Sequence, residues 1–482
     1  MHITVYIQQL GCGIYITNQI YITMALYNTL NDEQKVIFDK CIDGRDNILC
    51  TGVGGTGKTY LLNAIIERFK SDDIKKTVAV TASTGVAAYG IGGITVHKFA
   101  GVGIPSNDIT DMIKKARRGA SYRYWRDTDI LIIDEISMLQ PSFFDILFNI
   151  AQAIRQSTSV FGGIRLLVFG DFLQLPPVSK DAQHTFVFET PSWNKMNFKV
   201  VQLGTIMRQQ DNEFGRVLSS IRLGKSSSQI EEFISSLSRD VPYNDGIDAV
   251  RLFSLKKLVE EYNTAKLDQI TKKIYSYRSR DTGDIGTLRQ CPAQNTLNLK
   301  EGAQVMIIRN LSTNIVNGSL GRIVGFKYLA GSFYPEVDIT MRDGSITRMI
   351  ISNTTWETRD PMGKVTSCRV QIPLIHAWAI TIHKSQGQSI PRLYVDMNGI
   401  FEYGQAYVAL SRAIDPTKLQ VVNFSTDKIK VNHKAVEFYN RLDTQEGDAT
   451  NVALTTSSTW DPSQVSLQEA MSDLAIKGDN KD

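Results

Sequence analysis

Five short apolar runs, each separated from the next by a helical pattern, constrain the fold of residues 47 to about 204. Continuously apolar strands of this kind are typical of a parallel sheet that helices cover on both faces. The alternation therefore predicts an α/β lobe built on a parallel sheet. The runs are "NILCT" (47–51), "TVAVTA" (77–82), "DILIID" (129–134), "RLLVFG" (165–170) and "KVVQL" (199–203).

The loop after the first run, "TGVGGTGKTY", has the G-x-x-x-x-G-K-[ST] spacing of a phosphate-binding loop. Its glycines let backbone N–H groups turn toward phosphate oxygens, while a lysine reaches the β- and γ-phosphates and a hydroxyl ligates Mg²⁺. A strand-like run before it and a helical pattern after it favour this function over an empty turn. We predict an ATP and Mg²⁺ site at Gly52, Val53, Gly54, Gly55, Thr56, Gly57, Lys58 and Thr59.

Two carboxylates, Asp134 and Glu135, follow the third run. The carboxyl end of a buried parallel strand faces the ligand crevice of an open sheet. We expect Asp134 to hold Mg²⁺ and Glu135 to orient or deprotonate the attacking water. Acidic residues are also common at helix N-termini, which is the alternative.

Two glutamines are further candidates. Gln174 follows the fourth run, and its amide can bond the γ-phosphate and relax when that phosphate leaves; taken alone, it would be a turn residue. Gln34, ahead of the first run, can pair with donor and acceptor on the adenine edge, although a surface helix position is the commoner role of such a residue.

Arg208 in "GTIMRQQDNEF" and Arg412 in "AYVALSRA" are candidates for cations supplied across a cleft. Single arginines are usually surface charges. Both stand where a second lobe would meet the phosphates of the first. An arginine in that place stabilises transition-state charge and makes lobe closure depend on the nucleotide.

A second set of apolar runs, at 250–254, 392–397 and 419–424, predicts a second α/β lobe without a phosphate loop of its own. Strands with Asn-Gly and Asp-Gly turns predict an antiparallel insertion at 291–372. We therefore place lobe one at 30–210 and lobe two at 211–290 and 373–444.

Three segments are candidate nucleic-acid surfaces. "TASTGVAA" with "GGITVHKFAGVG" supplies Thr84, His97 and Phe99, and "AITIHKSQGQS" supplies His383 and Lys384. In "KKARRGASYRYWR" (114–126), six cations alternate with three aromatic residues, a pattern that suits a single strand because rings stack on bases and cations follow phosphates. A solvated helix face with a buried Trp is the alternative for this last segment.

Composition limits the remaining choices. The 482 residues carry a net charge of +4, so an anionic partner needs a local groove. Five cysteines without metal spacing fit free thiols in a reducing, intracellular compartment, and no run is long enough to span a membrane. Residues 1–29 lack Lys, Arg, Asp and Glu, which favours a leader outside the fold and translation from Met24. The polar tail at 445–482 is expected to be disordered.

These blocks resemble, in order, the petite-integration-frequency family of superfamily-one 5′-to-3′ DNA helicases, which are related to RecD-type enzymes. The resemblance covers residues 34 to 424. It rests on "GVGGTGKT", "TASTGVAA", "GGITVHKFAG", "LIIDEISML", "FGDFLQLPPV", "RQQDNEF", "LNLKEGAQVMIIRN", "NGSLGRIVGF", "IPLIHAWAITIHKSQGQSI" and "AYVALSRA".

The resemblance implies two RecA-like lobes, a wedge at about 101–126 and a Src-homology-three-like barrel at 291–372. It also implies DNA contacts by the segments of His97, Phe99 and His383–Lys384, and by the region from Gln405, with Tyr407, to Phe424. The expected protein is a monomeric ATP-dependent helicase that binds single strands and single-strand/duplex junctions. It would serve replication, repair, recombination or telomere upkeep, in some cases with other proteins.

Two alternatives remain open. One is a RecD-like subunit of a nuclease complex, which co-purification would reveal. The other is an ATP-gated switch that binds single-stranded DNA and never separates a duplex.

Overall fold

The computed structural model describes residues 25–445, apart from 72, 104–107, 178–185, 210, 244, 290, 313–314, 342–344 and 361–363. Most of the expected leader, with Met24, and the expected tail after residue 445 lie outside this range. Residues 25–29, assigned to the leader, are helical, and Leu26 and Tyr27 pack against the core of lobe one. None of the described helices is long and apolar enough to cross a bilayer.

Lobe one contains a parallel sheet of six strands. They are β1 (Ile48–Gly52), β2 (Val78–Ala82), β3 (Ile94–Thr95), β4 (Ile130–Asp134), β5 (Arg165–Phe169) and β6 (Lys199–Leu203). Their order is β3-β2-β4-β5-β1-β6, and every residue of β1 and β4 is buried. The prediction of a parallel sheet from continuous apolar runs is confirmed; only the two-residue β3 lacked such a run.

Helices cover both faces of this sheet. They are α1 (Asp32–Asp43), α2 (Lys58–Phe69), α3 (Gly85–Gly90), α4 (Val96–Ala100), α5 (Ile109–Ala116), α6 (Ala120–Asp127), α7 (Pro141–Arg155) and α8 (Pro191–Met196). The helix predicted after the phosphate-binding loop is α2, and its apolar residues Leu61, Leu62, Ile65, Ile66 and Phe69 are buried, so this helix fixes the loop that precedes it.

The segment expected to form a wedge packs closely on lobe one. Trp125 of α6 is fully buried and donates its indole N–H to Ala100 O at 3.3 Å. Tyr124 is also buried, and Tyr122 is 37% exposed. The expectation that these aromatics stack on DNA is therefore wrong for Tyr124 and Trp125, because the helical period turns both rings into the core.

Lobe two begins with α9 (Asn212–Arg222), α10 (Ser228–Ser236), β7 (Val250–Phe253) and α11 (Lys256–Asp268). Antiparallel strands follow. They are β8 (Ile274–Arg278), β9 (Arg280–Gly283), β10 (Thr296–Lys300), β11 (Gln304–Ile307), β12 (Leu320–Leu329), β13 (Ser332–Thr340), β14 (Ile346–Ile350), β15 (Thr354–Arg359), β16 (Val365–Gln371) and β17 (Leu374–His376), with the short helix α12 (Ile285–Leu288) after β9.

These strands form three sheets, β14-β13-β12-β11-β17, β15-β16-β9 and β10-β8. The antiparallel region thus begins at Ile274, earlier than the expected residue 291. The run "IYSYR" of β8 alternates between exposed and half-buried positions, since it pairs with β10 and not with a parallel strand.

The chain then completes the parallel sheet of lobe two and returns to lobe one. The remaining elements are β18 (Ala379–Thr381), α13 (Ile382–Ser385), β19 (Leu393–Asp396), α14 (Gln405–Leu410), β20 (Leu419–Val422) and α15 (His433–Gln445). The sheet order is β18-β7-β19-β20. Ala435 and Tyr439 of α15 lie in the core of lobe one. The expectation that lobe two extends to residue 444 is therefore wrong for α15, because its apolar side chains pack on lobe one. The chain therefore crosses between the lobes at residues 204–211 and again at 423–432.

Candidate nucleotide site and nucleic-acid surfaces

The phosphate loop, residues 52–59, lies between β1 and α2 with its glycines in conformations that other residues rarely adopt. Gly57 has φ 83°, and a Cβ there would lie 2.5 Å from Gln34 Nε2. Gly55 has φ 95°, and a Cβ would lie 2.8 Å from Arg208 Cβ. Both positions need glycine for backbone freedom and for space. The loop is therefore closely enclosed by two of the predicted site residues.

Gln34 joins α1 to the phosphate loop. It forms a capping box with Asn31, in which the Gln34 backbone N–H donates to Asn31 Oδ1 at 2.8 Å and the Asn31 N–H donates to Gln34 Oε1 at 3.2 Å. Its Nε2 donates to Thr56 O at 3.4 Å. The side chain thus lies beside the loop as expected, while its role toward adenine stays a prediction.

Lys58 folds back over its own loop. Its Nζ donates to the carbonyl oxygens of Gly52 at 2.6 Å and Val53 at 3.0 Å. Burial lowers the pKa of Lys58, while the nearby carboxylates Asp171 and Glu135 act in the opposite direction. A phosphate oxygen would supply the negative charge that these neutral carbonyls lack.

The carboxylate pair stands at the end of β4. Burial raises the pKa of Asp134 to about 6; burial and the charge of Asp134 raise the pKa of Glu135 to about 8. A carboxylate made more basic in this way suits proton abstraction from water. Glu135 has φ 52°, a strained conformation that is concentrated at functional sites.

Two arginines reach the phosphate loop from the lobe-two side. Arg208 donates to Ser389 Oγ at 2.8 Å and to Ser411 O at 2.9 Å. A Cβ on Gly54 would lie 3.3 Å from Nη2 of Arg412, which is 1% exposed. Burial lowers the pKa of Arg208 to about 9 and that of Arg412 to about 10, and the charge of Arg412 adds to the shift at Arg208. Both guanidinium groups therefore stay charged at neutral pH.

Gln174 contacts a lobe-two glutamine that the sequence did not single out for this role. Nε2 of Gln386 donates to Glu135 Oε2 at 2.9 Å and to Gln174 Oε1 at 3.4 Å. Gln386 follows α13, which carries His383 and Lys384, so one loop joins a predicted DNA segment to two catalytic candidates. The proximity of Gln386 to Glu135 comes from lobe packing, and no local pattern signals it.

A cavity of about 930 Å³ lies between the lobes at this place. Lys58, Glu135 and Gln174 line it from lobe one, and Arg412 lines it from lobe two. Thr59 and Asp134 offer the oxygen ligands that Mg²⁺ takes together with substrate phosphates. The described residues hold no cluster of three or more His, Cys, Asp or Glu that would bind a metal unaided. The donor set therefore fits a metal that arrives with the nucleotide.

Three of the predicted DNA contacts are corrected by burial. Phe99 is fully buried, with its ring centroid 4.7 Å from that of Trp125. Gln405 is fully buried, and its Oε1 accepts the N–H of Phe401 at 2.9 Å. Tyr407 is 1% exposed, and its hydroxyl accepts the N–H of Gly54 at 2.6 Å. In this structure Phe99 and Gln405 are core residues, and Tyr407 belongs to the nucleotide site.

The other predicted DNA residues remain accessible. Thr84 caps α3 and is half-buried, and His97 stacks on Phe143 with ring centroids 4.1 Å apart. Lys384 is exposed, and His383 Nε2 lies 3.9 Å from Glu402 Oε2. These residues stay predictions for nucleic-acid contact.

Next to His383 lies an exposed aromatic pair. Phe401 is 51% exposed and Tyr403 is 38% exposed, on the segment after β19. Nζ of Lys430 donates to Phe401 O at 3.4 Å. We call Phe401, Tyr403, His383, Lys384 and Lys430 the lobe-two aromatic surface. Exposed rings beside cations suit unpaired bases. The stretch "FEYGQ" holds the two rings but none of the cations, so no local pattern marked this surface.

The fold and the site define a P-loop nucleotide-binding protein with two α/β lobes. Residues 29–232 match the family model for PIF1-like helicase, and residues 287–326 match that for the DNA helicase Pif1 2B domain. The chain belongs to the PIF1-like helicase family.

Relatives and solved structures agree with this assignment. The ATP-dependent DNA helicase PIF1 of Emericella nidulans is 35% identical over 85% of this chain and 62% of its own length. This chain thus spans less than two thirds of that relative. The crystal structure of Pif1 helicase from Candida albicans is 38% identical, with a TM-score of 0.70 and coverage of 86% of this chain and 99% of that one. Pif1 helicase from Bacteroides in complex with ADP-AlF3 and ssDNA is 28% identical, with a TM-score of 0.60 and coverage of 87% of this chain and 98% of that one.

Proposed function

We propose that this chain is an ATP-dependent DNA helicase that moves 5′ to 3′ on single-stranded DNA and separates duplexes in genome maintenance. One observation carries the proposal: the nucleotide cavity is lined by residues of both lobes. A nucleotide bound there would contact both lobes at once. Filling or emptying the site therefore changes the free energy of lobe closure, which is what a motor requires.

The residues of the site divide the work. Lys58 and the loop N–H groups bind the phosphates, and Glu135 orients or deprotonates the attacking water. Arg208 and Arg412 stabilise the charge on the transferred phosphoryl group. Mg²⁺, held by Thr59 and Asp134, would neutralise charge on the phosphates. Loss of the γ-phosphate removes the anion that draws both arginines inward, so the lobes reopen.

The strand would be gripped on two surfaces that move with the lobes. Thr84 and His97 belong to lobe one, and the lobe-two aromatic surface belongs to lobe two. Since α13 and the segment after β19 both follow carboxyl ends of parallel strands, their side chains meet at one edge of the sheet. If the two surfaces bind the strand alternately, each closure of the lobes moves the protein along the strand. Separating one base-pair step of the duplex costs about 1.4 kcal/mol.

The partners we propose are single strands and single-strand/duplex junctions. The Bacteroides relative crystallised with ssDNA supports the first, because it aligns over 87% of this chain.

The cysteines bear on the compartment in which the protein works. Those that the structure describes, Cys41, Cys50, Cys291 and Cys368, are free thiols, which favours a reducing compartment.

Tailed duplexes test both the direction of translocation and the coupling of ATP hydrolysis to duplex separation. We expect strand displacement with ATP on a 5′-tailed duplex, little on a 3′-tailed one, and ATP hydrolysis that single-stranded DNA stimulates. Equal displacement of both substrates would refute the polarity. DNA-stimulated hydrolysis without displacement would identify the chain as a binding switch.

Replacing the exposed rings should weaken the grip on DNA. For Phe401→Ala or Tyr403→Ala we expect the Kd for a single-stranded oligonucleotide to rise roughly five- to hundredfold, because stacking contributes about 1–3 kcal/mol per base. Fluorescence anisotropy at fixed salt measures this. Tyr328→Ala is the matched control, since Tyr328 is 65% exposed on the β12–β13 hairpin. Equal affinities for all the variants and the unaltered chain would remove this surface from the DNA path.

A further inference from the structure

A buried carboxylate, Asp171, holds the side chain of Gln174. It follows β5 and is fully buried. Its Oδ2 accepts Gln174 Nε2 at 3.2 Å and Arg222 Nε at 2.9 Å, and its Oδ1 accepts Arg222 Nη2 at 2.7 Å. Burial acts to raise the pKa of Asp171, but the charge and hydrogen bonds of Arg222, together with the charge of Lys58 and the N–H of Leu173, hold this pKa below its usual value. An ionised carboxylate only accepts hydrogen bonds, so the NH₂ end of Gln174 must face Asp171.

The last helix of the described chain completes this arrangement. Tyr439 of α15 is 4% exposed, and its hydroxyl donates to Asp171 Oδ1 at 3.0 Å. The hydroxyl oxygen of Tyr439 also accepts the N–H of Phe172 at 3.2 Å and lies 2.6 Å from Thr51 Oγ1. Because the single phenol proton goes to Asp171, Thr51 must donate. One hydroxyl therefore ties the end of β1, directly before the phosphate loop, to the loop that carries Gln174.

Lobe two reaches the same place through Arg222. This residue ends α9, and its guanidinium lies 4.8 Å from the centroid of the Tyr439 ring. The contacts among Asp171, Arg222, Tyr439 and Thr51 thus link β1 and the Gln174 loop of lobe one to α9, the first helix of lobe two, and to α15. A shift of any one of these elements would change the hydrogen bonds that orient Gln174.

We propose that Tyr439 is a positioning residue that, through Asp171 and Arg222, sets the orientation of the Gln174 amide toward the γ-phosphate. This inference rests on the proposed ATP site. Tyr439 lies outside all the blocks on which the family resemblance rests. Its ring packs in the core of lobe one next to the Arg222 guanidinium, whereas its hydroxyl makes the three polar contacts, so the two contributions are separable.

Tyr439→Phe keeps the ring and removes the hydroxyl. We expect the full-length variant to bind ADP with aluminium fluoride, which imitates the transferred phosphoryl group, about tenfold more weakly, as expected for one lost hydrogen bond to a charged partner. ADP affinity should stay within about twofold, because ADP lacks the group that Gln174 contacts. Calorimetric titration of both ligands with Mg²⁺ gives the two constants.

Two comparisons separate positioning from stability. Tyr277→Phe makes the same chemical change at a buried hydroxyl of β8 that has no hydrogen-bond partner among the residues that the structure describes, and it should leave both affinities unchanged. In a Gln174→Ala background, Tyr439→Phe should add little further loss, because both changes act through one amide. A Tyr439→Phe variant that binds both ligands as the unaltered chain does, or whose loss adds fully to that of Gln174→Ala, would overturn the inference. An unaltered chain that binds neither ligand would instead overturn the ATP site.

Discussion

Lys58→Ala is expected to lower DNA-stimulated ATP hydrolysis by roughly 10²–10³-fold and to abolish unwinding, because it removes the cation that we propose binds the β- and γ-phosphates. Binding of single-stranded DNA should remain measurable, since Lys58 lines the nucleotide cavity, and that lining includes no residue of the lobe-two aromatic surface. Burial lowers the pKa of Lys58, so its charged form opposes folding, and we expect the Tm not to fall. Steady-state hydrolysis with and without oligonucleotide and anisotropy measure these effects.

Lys70→Ala is the matched control for this variant. Lys70 directly follows α2, pairs with Glu67 at 2.6 Å and is far more exposed. Its replacement should leave hydrolysis within about twofold. If a folded Lys58→Ala protein also lost DNA binding, the separation between nucleotide site and DNA surface would be wrong.

Arg412→Ala is expected to lower the single-turnover rate of ATP hydrolysis by roughly 10³-fold at saturating DNA, because a guanidinium supplied across a cleft stabilises the charge of the transition state. ATP binding should fall much less. The side chain also donates to Val408 O at 2.8 Å and Ser411 Oγ at 2.7 Å, so some loss of stability accompanies the change.

Arg412→Lys separates the two effects of this substitution. It keeps the charge but not the planar geometry, so its rate should lie between those of Arg412→Ala and the unaltered chain. Arg216→Ala, on the exposed face of α9, serves as the control. Hydrolysis by a folded Arg412→Ala protein within tenfold of the unaltered rate would exclude Arg412 from the reaction.

The nucleotide site was predictable because its chemistry is written in short stretches of sequence. A phosphate loop needs its glycines, Lys58 and Thr59 in one turn, and Glu135 needs only the end of a buried strand. Local patterns of this kind can be recognised without knowing how the rest of the chain packs. Arg208 and Arg412, from distant segments, also lie beside the phosphate loop, as expected of residues at the junction of two lobes, while their role toward the phosphates stays a prediction.

The candidate DNA-binding side chains were harder to predict because the face that a short helix buries depends on tertiary packing. Phe99 stands two residues after the half-exposed His97, yet the five-residue helix α4 turns it into the core. Gln405 and Tyr407 likewise face inward on α14. In the short pattern "FEYGQ", the exposed rings and the buried glutamine are separated by one glycine, and only the packed structure distinguishes them.

The return of α15 to lobe one has a mechanical consequence. Lobe two is tethered covalently at two places, residues 204–211 and 423–432, instead of one. A body held at two points turns most easily about the line that joins them and resists twisting out of that path. Opening and closing should therefore follow a single hinge axis, so that in the proposed motor each nucleotide cycle would displace the strand along the same line.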